Sequence, residues 1–280
     1  MRTLLASFVI LTACASKPLP ALPAVDLGKI KIDHVYVKIS SQDYRAIEKS
    51  DFFAGSKLYF TELNKTVSRW SGHYISGREG YLELFDRDAM AKLSQIGEQG
   101  FGLISETTGE IEKIHALFPP SEGSPFQEQK FELSKSPSSR NTYSWSAQSA
   151  IWVAEVDPTF AGVKGAVDRT RWMTYFRNKK SDKSVPLAGE ILEVHSTLRP
   201  AQLAFFAQVL ERLGFVKAEG SKFVKGAQSI TFTQGDEERI TRVRFSLAAP
   251  YTGKRRAETF GNVHVEVTPE GITWTFAKPK

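Results

Sequence analysis

Residues 29–40 read KIKIDHVYVKIS. Apolar and polar residues alternate along this stretch. Ile30, Ile32, His34, Tyr36 and Lys38 fall on one face, and Val35, Val37 and Ile39 on the other. Period two marks a strand. Ser40-Ser41-Gln42-Asp43 follows, offering a hydroxyl to cap a helix that runs to about Lys49. Strand-like segments come next at 57–67, 70–77 and 80–86, and Gly77 and Gly80 bracket the last turn. The opening unit therefore reads β-α-β-β-β.

The same order starts again downstream. Residues 100–105 are strand-like, 107–118 carry Ile111, Ile114, His115 and Phe118 at helical spacing, and strands follow near 130–135, 142–147 and 150–156. A third start lies at 190–196. Thr197 is the candidate cap, Pro200 the early proline and Gly214 the stop of a helix over 199–213. Strands near 215–219, 222–225, 229–234 and 240–248 follow, and 262–276 reads as a hairpin turning at Pro269-Glu270-Gly271. The expected architecture is α+β, built of repeated βαβββ modules: two paired around a cavity over 29–176, a linker at 177–188, and a third C-terminal module over 189–280.

Upstream, MRTLLASFVILTAC has one early Arg and a short apolar run, then small residues before Cys14. The run is too short to span a bilayer. The pattern resembles the lipobox of bacterial lipoprotein signals, which implies cleavage of residues 1–13 and acylation of Cys14. Cys14 is the only cysteine, so no disulfide forms within the chain. Acyl chains bury methylenes at ~0.8 kcal/mol each, enough for several chains to hold the protein to a lipid bilayer. Pro18, Pro20 and Pro23 keep residues 14–28 extended as a spacer. Ala15 follows the cysteine. In a Gram-negative host, the resemblance then implies the outer membrane, facing the periplasm.

The net charge of +6 is spread among 37 basic and 31 acidic residues. A nucleic-acid protein concentrates its charge on one face, so nucleic acid is not an expected partner. No Gly-rich phosphate loop, G-x-S-x-G elbow or cysteine cluster occurs.

IDHVYVKI opening the first unit and GYLELFD closing it resemble the vicinal-oxygen-chelate, or glyoxalase/bleomycin-resistance, superfamily. The chain from about 29 to 276, with its WSGHY segment, also looks like a bacterial family of glyoxalase-like proteins. The first resemblance implies paired modules around a cavity, and metal ligands on the first and last strands of each module. Carried over residue by residue, His34 takes the early position, and Glu83 and Glu155 the late ones. The remaining position falls at Phe101-Gly102, which offers no ligand. A divalent transition metal is the implied cofactor. His73 stands as a further candidate ligand, and Tyr36, His73, Tyr81 and Phe85 as pocket residues. Without a metal, a buried Glu beside a His serves acid–base chemistry. Alternatively, Glu83 simply hydrogen-bonds His34 or Tyr74.

The expected function is therefore a lipid-anchored envelope protein with a glyoxalase-like, ligand-binding fold. The alternatives are a metal-dependent lyase, isomerase or dioxygenase, and a structural lipoprotein without a site. A small-molecule ligand is the expected partner, and pairing of modules between two chains would make a dimer.

Overall fold

The computed structural model describes residues 26–52, 60–64, 70–90, 98–107, 110, 113–114, 117, 131–132, 139–145, 149–156 and 187–278. The lipobox, the spacer before Asp26, most of the 107–118 helix and most of the linker lie outside them.

The first module is β1 (Ile30–Ile39), α1 (Ser41–Glu48), β2 (Phe60–Asn64), β3 (Trp70–Ser76) and β4 (Tyr81–Asp86), followed by the short helix α2 (Arg87–Met90). β5 (Gln99–Ser105), β6 (Phe131–Glu132), β7 (Ser139–Trp145) and β8 (Ser149–Val156) complete one eight-stranded sheet in the order β2-β3-β4-β1-β5-β8-β7-β6. The Ser40 hydroxyl accepts the Asp43 N–H at 3.1 Å, as the capping signal predicts.

The C-terminal part is a second eight-stranded sheet: β9 (Ala188–Leu198), α3 (Pro200–Arg212), β10 (Val216–Lys217), β11 (Lys222–Lys225), β12 (Gln228–Gln234), β13 (Arg239–Leu247), β14 (Arg256–Phe260), β15 (Val263–Thr268) and β16 (Gly271–Phe276). Its order, β10-β11-β12-β9-β13-β16-β15-β14, repeats that of the first. The α+β fold of repeated modules is as expected. The segment read as one module, however, contains two four-stranded halves joined at β9 and β13. The second half escapes the β-α-β pattern because no helix separates β13 from β14. A parallel return needs a crossover of a dozen or more residues, and the loop 248–255 is too short. β16 accordingly runs antiparallel to β13, whereas β8 runs parallel to β5.

α3 starts after Arg199, with Pro200 in its first turn. The expected cap, Thr197, remains inside β9, which extends to Leu198. The helix ends as the glycine signal requires. Gly214 has φ +80°, its N–H bonds Glu211 O at 3.0 Å, and Phe215 N–H bonds Leu210 O at 2.9 Å.

One core joins both sheets. Val35, Val37, Leu82, Leu84 and Ile151 belong to the same buried cluster as Val194, Ile230, Phe245 and Trp274. Phe206 of α3 packs 6.4 Å from Phe101 on β5, between ring centroids. Two buried glutamines lock the sheets together. Gln228 Oε1 accepts Ile32 N–H at 2.7 Å and its amide donates to Ile191 O at 2.9 Å, while Gln99 Oε1 accepts Ile240 N–H.

The strict alternation predicted for β1 is broken. Its register on β5 shifts between Ile32, opposite Leu103, and His34, opposite Gly102, which leaves Asp33 as an extra residue. Ile30 and Ile32 therefore join Val35 and Val37 in the core, not the His34 face. The same break occurs in β9, where the register on β13 passes from Ile191 opposite Phe245 to Glu193 opposite Arg244. His34 and Glu193 thus occupy equivalent places in the two sheets, each just after a bulge.

Candidate functional site

After the bulge, His34, Tyr36 and Lys38 of β1 lie opposite Tyr81, Glu83 and Phe85 of β4. His34 stacks on Tyr81 with centroids 4.6 Å apart and planes 8° from parallel, and Trp152 of β8 meets its edge at 4.8 Å. Tyr36 lies 5.6 Å from Trp152 and 6.0 Å from Phe85. Tyr74 of β3 adds contacts at 6.3 Å to Tyr81 and 6.4 Å to Phe85. Three of the four predicted pocket residues, Tyr36, Tyr81 and Phe85, are therefore together.

Gly102 makes this packing possible. A Cβ there would sit 2.5 Å from His34 Cε1 and 2.8 Å from the Trp152 ring. Gly102, which offers no ligand of its own, is thus the floor on which the imidazole and the indole rest.

The bulge also turns Asp33 beside its neighbour. Asp33 Oδ2 lies 2.7 Å from His34 Nδ1, and both residues are buried. A carboxylate only accepts, so Nδ1 carries the proton and a neutral ring keeps its lone pair on Nε2. Burial holds His34 below its ordinary pKa, and the nearby Glu83 carboxylate pulls the other way. Burial likewise pushes the Tyr36 hydroxyl up, aided by Glu83 and Glu98. At neutral pH the face therefore presents an uncharged imidazole, an uncharged phenol and the half-buried Glu83 within an aromatic wall. Asp33 went unread because strict alternation assigns it to the opposite face. An acidic residue inside an otherwise apolar strand is the signal that could have found it.

His73 is not in this group. It stands on β3 opposite Leu84 of β4, is fully buried, and stacks 3.7 Å from Tyr44 of α1. Its Nε2–H donates to Tyr44 O at 3.1 Å, and burial pushes its pKa down to about 4. Glu155 stands in register with Ser105 near the end of β8, and its side chain lies outside the described residues. His34 Nε2 and Glu83 are the donors that a metal would find on this face, with Asp33 orienting the imidazole as ligand-supporting carboxylates do. Among the described residues no three His, Cys, Asp or Glu side chains form a metal-binding group.

These features define a class: a two-sheet α+β protein of repeated modules, with an aromatic, histidine-bearing face on its first sheet. The chain belongs to the family of unknown function DUF5829, whose profile matches residues 32–276. No curated protein matches it. A hypothetical protein from Staphylococcus aureus shares the fold, with TM-score 0.50 and 11% identity over 82% of this chain and 95% of its own. Methylmalonyl-CoA epimerase from Streptomyces coelicolor aligns with TM-score 0.29 and 14% identity over 48% of this chain and 96% of its own. The Mycobacterium tuberculosis epimerase aligns with TM-score 0.29 and 17% identity over 47% and 91%. Likenesses at that level carry nothing to the chemistry of this chain.

Proposed function

We propose that the protein is a lipid-anchored envelope protein of glyoxalase-like architecture that holds a small ligand against the aromatic face of its first sheet. The His34–Tyr81 stack over the Gly102 floor, with Trp152 at its edge, carries this reading. Flat rings offer large apolar area at fixed geometry, and the imidazole and Glu83 supply the few polar groups that orient a ligand. The lipobox at Cys14 supports the anchor.

Two measurements test the proposal. Mass spectrometry of the mature chain should find Cys14 as its acylated first residue, and Cys14→Ser should release the protein from the membrane fraction. Small molecules co-purifying with the wild-type chain should be lost from Tyr81→Ala and Trp152→Ala variants that still fold. Retention of the same molecules by both variants would refute the ligand face.

A second reading rests on the Asp33–His34 pair. A carboxylate-oriented neutral imidazole beside a glutamate has the parts of a general base, and catalysis would follow if a ligand presents an acidic C–H to Nε2. The metal-dependent form adds Glu155 to His34 and Glu83. Elemental analysis decides it: about one transition metal per chain, lost in His34→Ala and Glu83→Ala, would favour the metal enzyme, and no metal after soaking would end that form.

A further inference from the structure

The second sheet carries different chemistry at the matching place. Where the first sheet has Gly100 opposite Tyr36 and Gly102 opposite His34, the second has Arg242 opposite His195 and Arg244 opposite Glu193. Two arginines two residues apart on one strand face repel each other. Glu193 bridges them, accepting Arg242 Nη2 at 3.0 Å on one oxygen and Arg244 Nη2 at 2.7 Å on the other. Each fork thus spends one donor on the carboxylate. Arg242 Nε is buried without a hydrogen bond.

The surroundings are basic and rich in hydroxyls. His195 Nε2 lies 3.5 Å from Glu193, and Lys222 is in register with Thr231, which is itself opposite His195. Thr275 and Thr273 stand in register with Arg242 and Arg244. Even beside a carboxylate, His195 is held below its ordinary pKa, by burial first and then by Arg242 and Lys222. Among the described residues, Glu193 is the carboxylate that ion-pairs with both guanidiniums. The face is reachable, with Arg242 and Arg244 side chains 41% and 28% exposed.

We propose that Arg242 and Arg244, aligned by Glu193 and flanked by His195 and Lys222, form a binding site for a phosphate group. Parallel guanidinium forks match the oxygens of a tetrahedral dianion better than single ammonium groups do. The site is independent of the aromatic face on the first sheet. The phosphate belongs either to a soluble molecule or to a lipid headgroup.

The test uses the full chain carrying Cys14→Ser, titrated with inorganic phosphate at constant ionic strength. The NMR signals of the arginine Nε–H groups and of the His195 ring report binding. Saturable shifts are expected that chloride does not reproduce, and affinity should fall at least tenfold in Arg242→Gln and Arg244→Gln. Arg244→Lys keeps the charge and removes the fork, so it should weaken binding while leaving the fold intact if the glutamine variant unfolds. Vesicles of phosphatidylcholine with phosphatidic acid form the second arm. Tighter binding to them through the same arginines assigns the phosphate to a lipid, and equal or weaker binding assigns it to a soluble molecule. The site is refuted if neither phosphate nor vesicles shift these signals, if chloride shifts them equally, or if the arginine variants bind as wild type does.

Discussion

Gly102 separates a stacked histidine from a core clash. Its substitution by Val should displace His34 and Trp152, costing about 1–3 kcal/mol as overpacking does. A lower urea midpoint with unchanged slope, and altered Trp152 fluorescence, would show it. His73 sets a pH dependence of stability. Its pKa is about 4 in the folded protein against 6.5 unperturbed, so the folded state binds fewer protons between those values. Stability contributed by the neutral ring is complete above pH 6.5 and is lost as pH falls toward 4, by roughly 3 kcal/mol. Urea melts at pH 7 and pH 4.5 should show that loss, and His73→Gln should flatten it. The sequence made the aromatic face legible because His34, Tyr36, Tyr81 and Phe85 keep period two after the bulge. It misplaced His73 because a histidine in a strand reads alike on either face, and here the packing of Tyr44 from α1 decides. It missed Asp33 because a bulge leaves no local mark other than the acidic residue itself.

Two helix ends were readable, and a third, the Thr197 cap of α3, was not, because β9 runs on to Leu198. Ser40 caps α1 and Gly214 closes α3 as their residue types dictate. Ser40→Ala should cost about 1 kcal/mol, and Gly214→Ala, forced to hold φ +80°, about 1–2 kcal/mol. Thermal melts of both variants check these values. Strands with their own turn signals were also legible, including the β15–β16 hairpin that turns between Thr268 and Gly271. The count of modules was not. Reading repeats by strand–helix–strand order fails where the helix is absent, and only the pairing of β13 with both β9 and β16 reveals the fourth unit.

At the scale of the molecule, two sheets of the same order share one core and differ in the chemistry of the strand faces that do not join it. Gln228 is a keystone of that joint, since its amide touches backbone of both β1 and β9. Gln228→Ala leaves the Ile32 N–H and the Ile32 and Ile191 carbonyls without this partner. The expected loss is about 2–4 kcal/mol, from buried groups costing about 1–3 kcal/mol each with partial relaxation. Denaturation should remain a single transition, because the cluster runs through both sheets. Separate transitions for the two sheets would contradict the shared core.

The sheets are also contiguous along the chain: among the described residues, the first uses strands within 30–156 and the second strands within 188–276, with none exchanged. During synthesis from the N-terminus, the first sheet can complete its pairings while Val35, Leu82, Leu84 and Ile151 still wait for the second half. A growing chain therefore passes through an interval with a sticky, half-finished surface, the kind of species that aggregates. Its yield in a cell should depend on holdase chaperones until residue 276 has emerged, and a chain stopped at residue 186 should collect as an insoluble deposit.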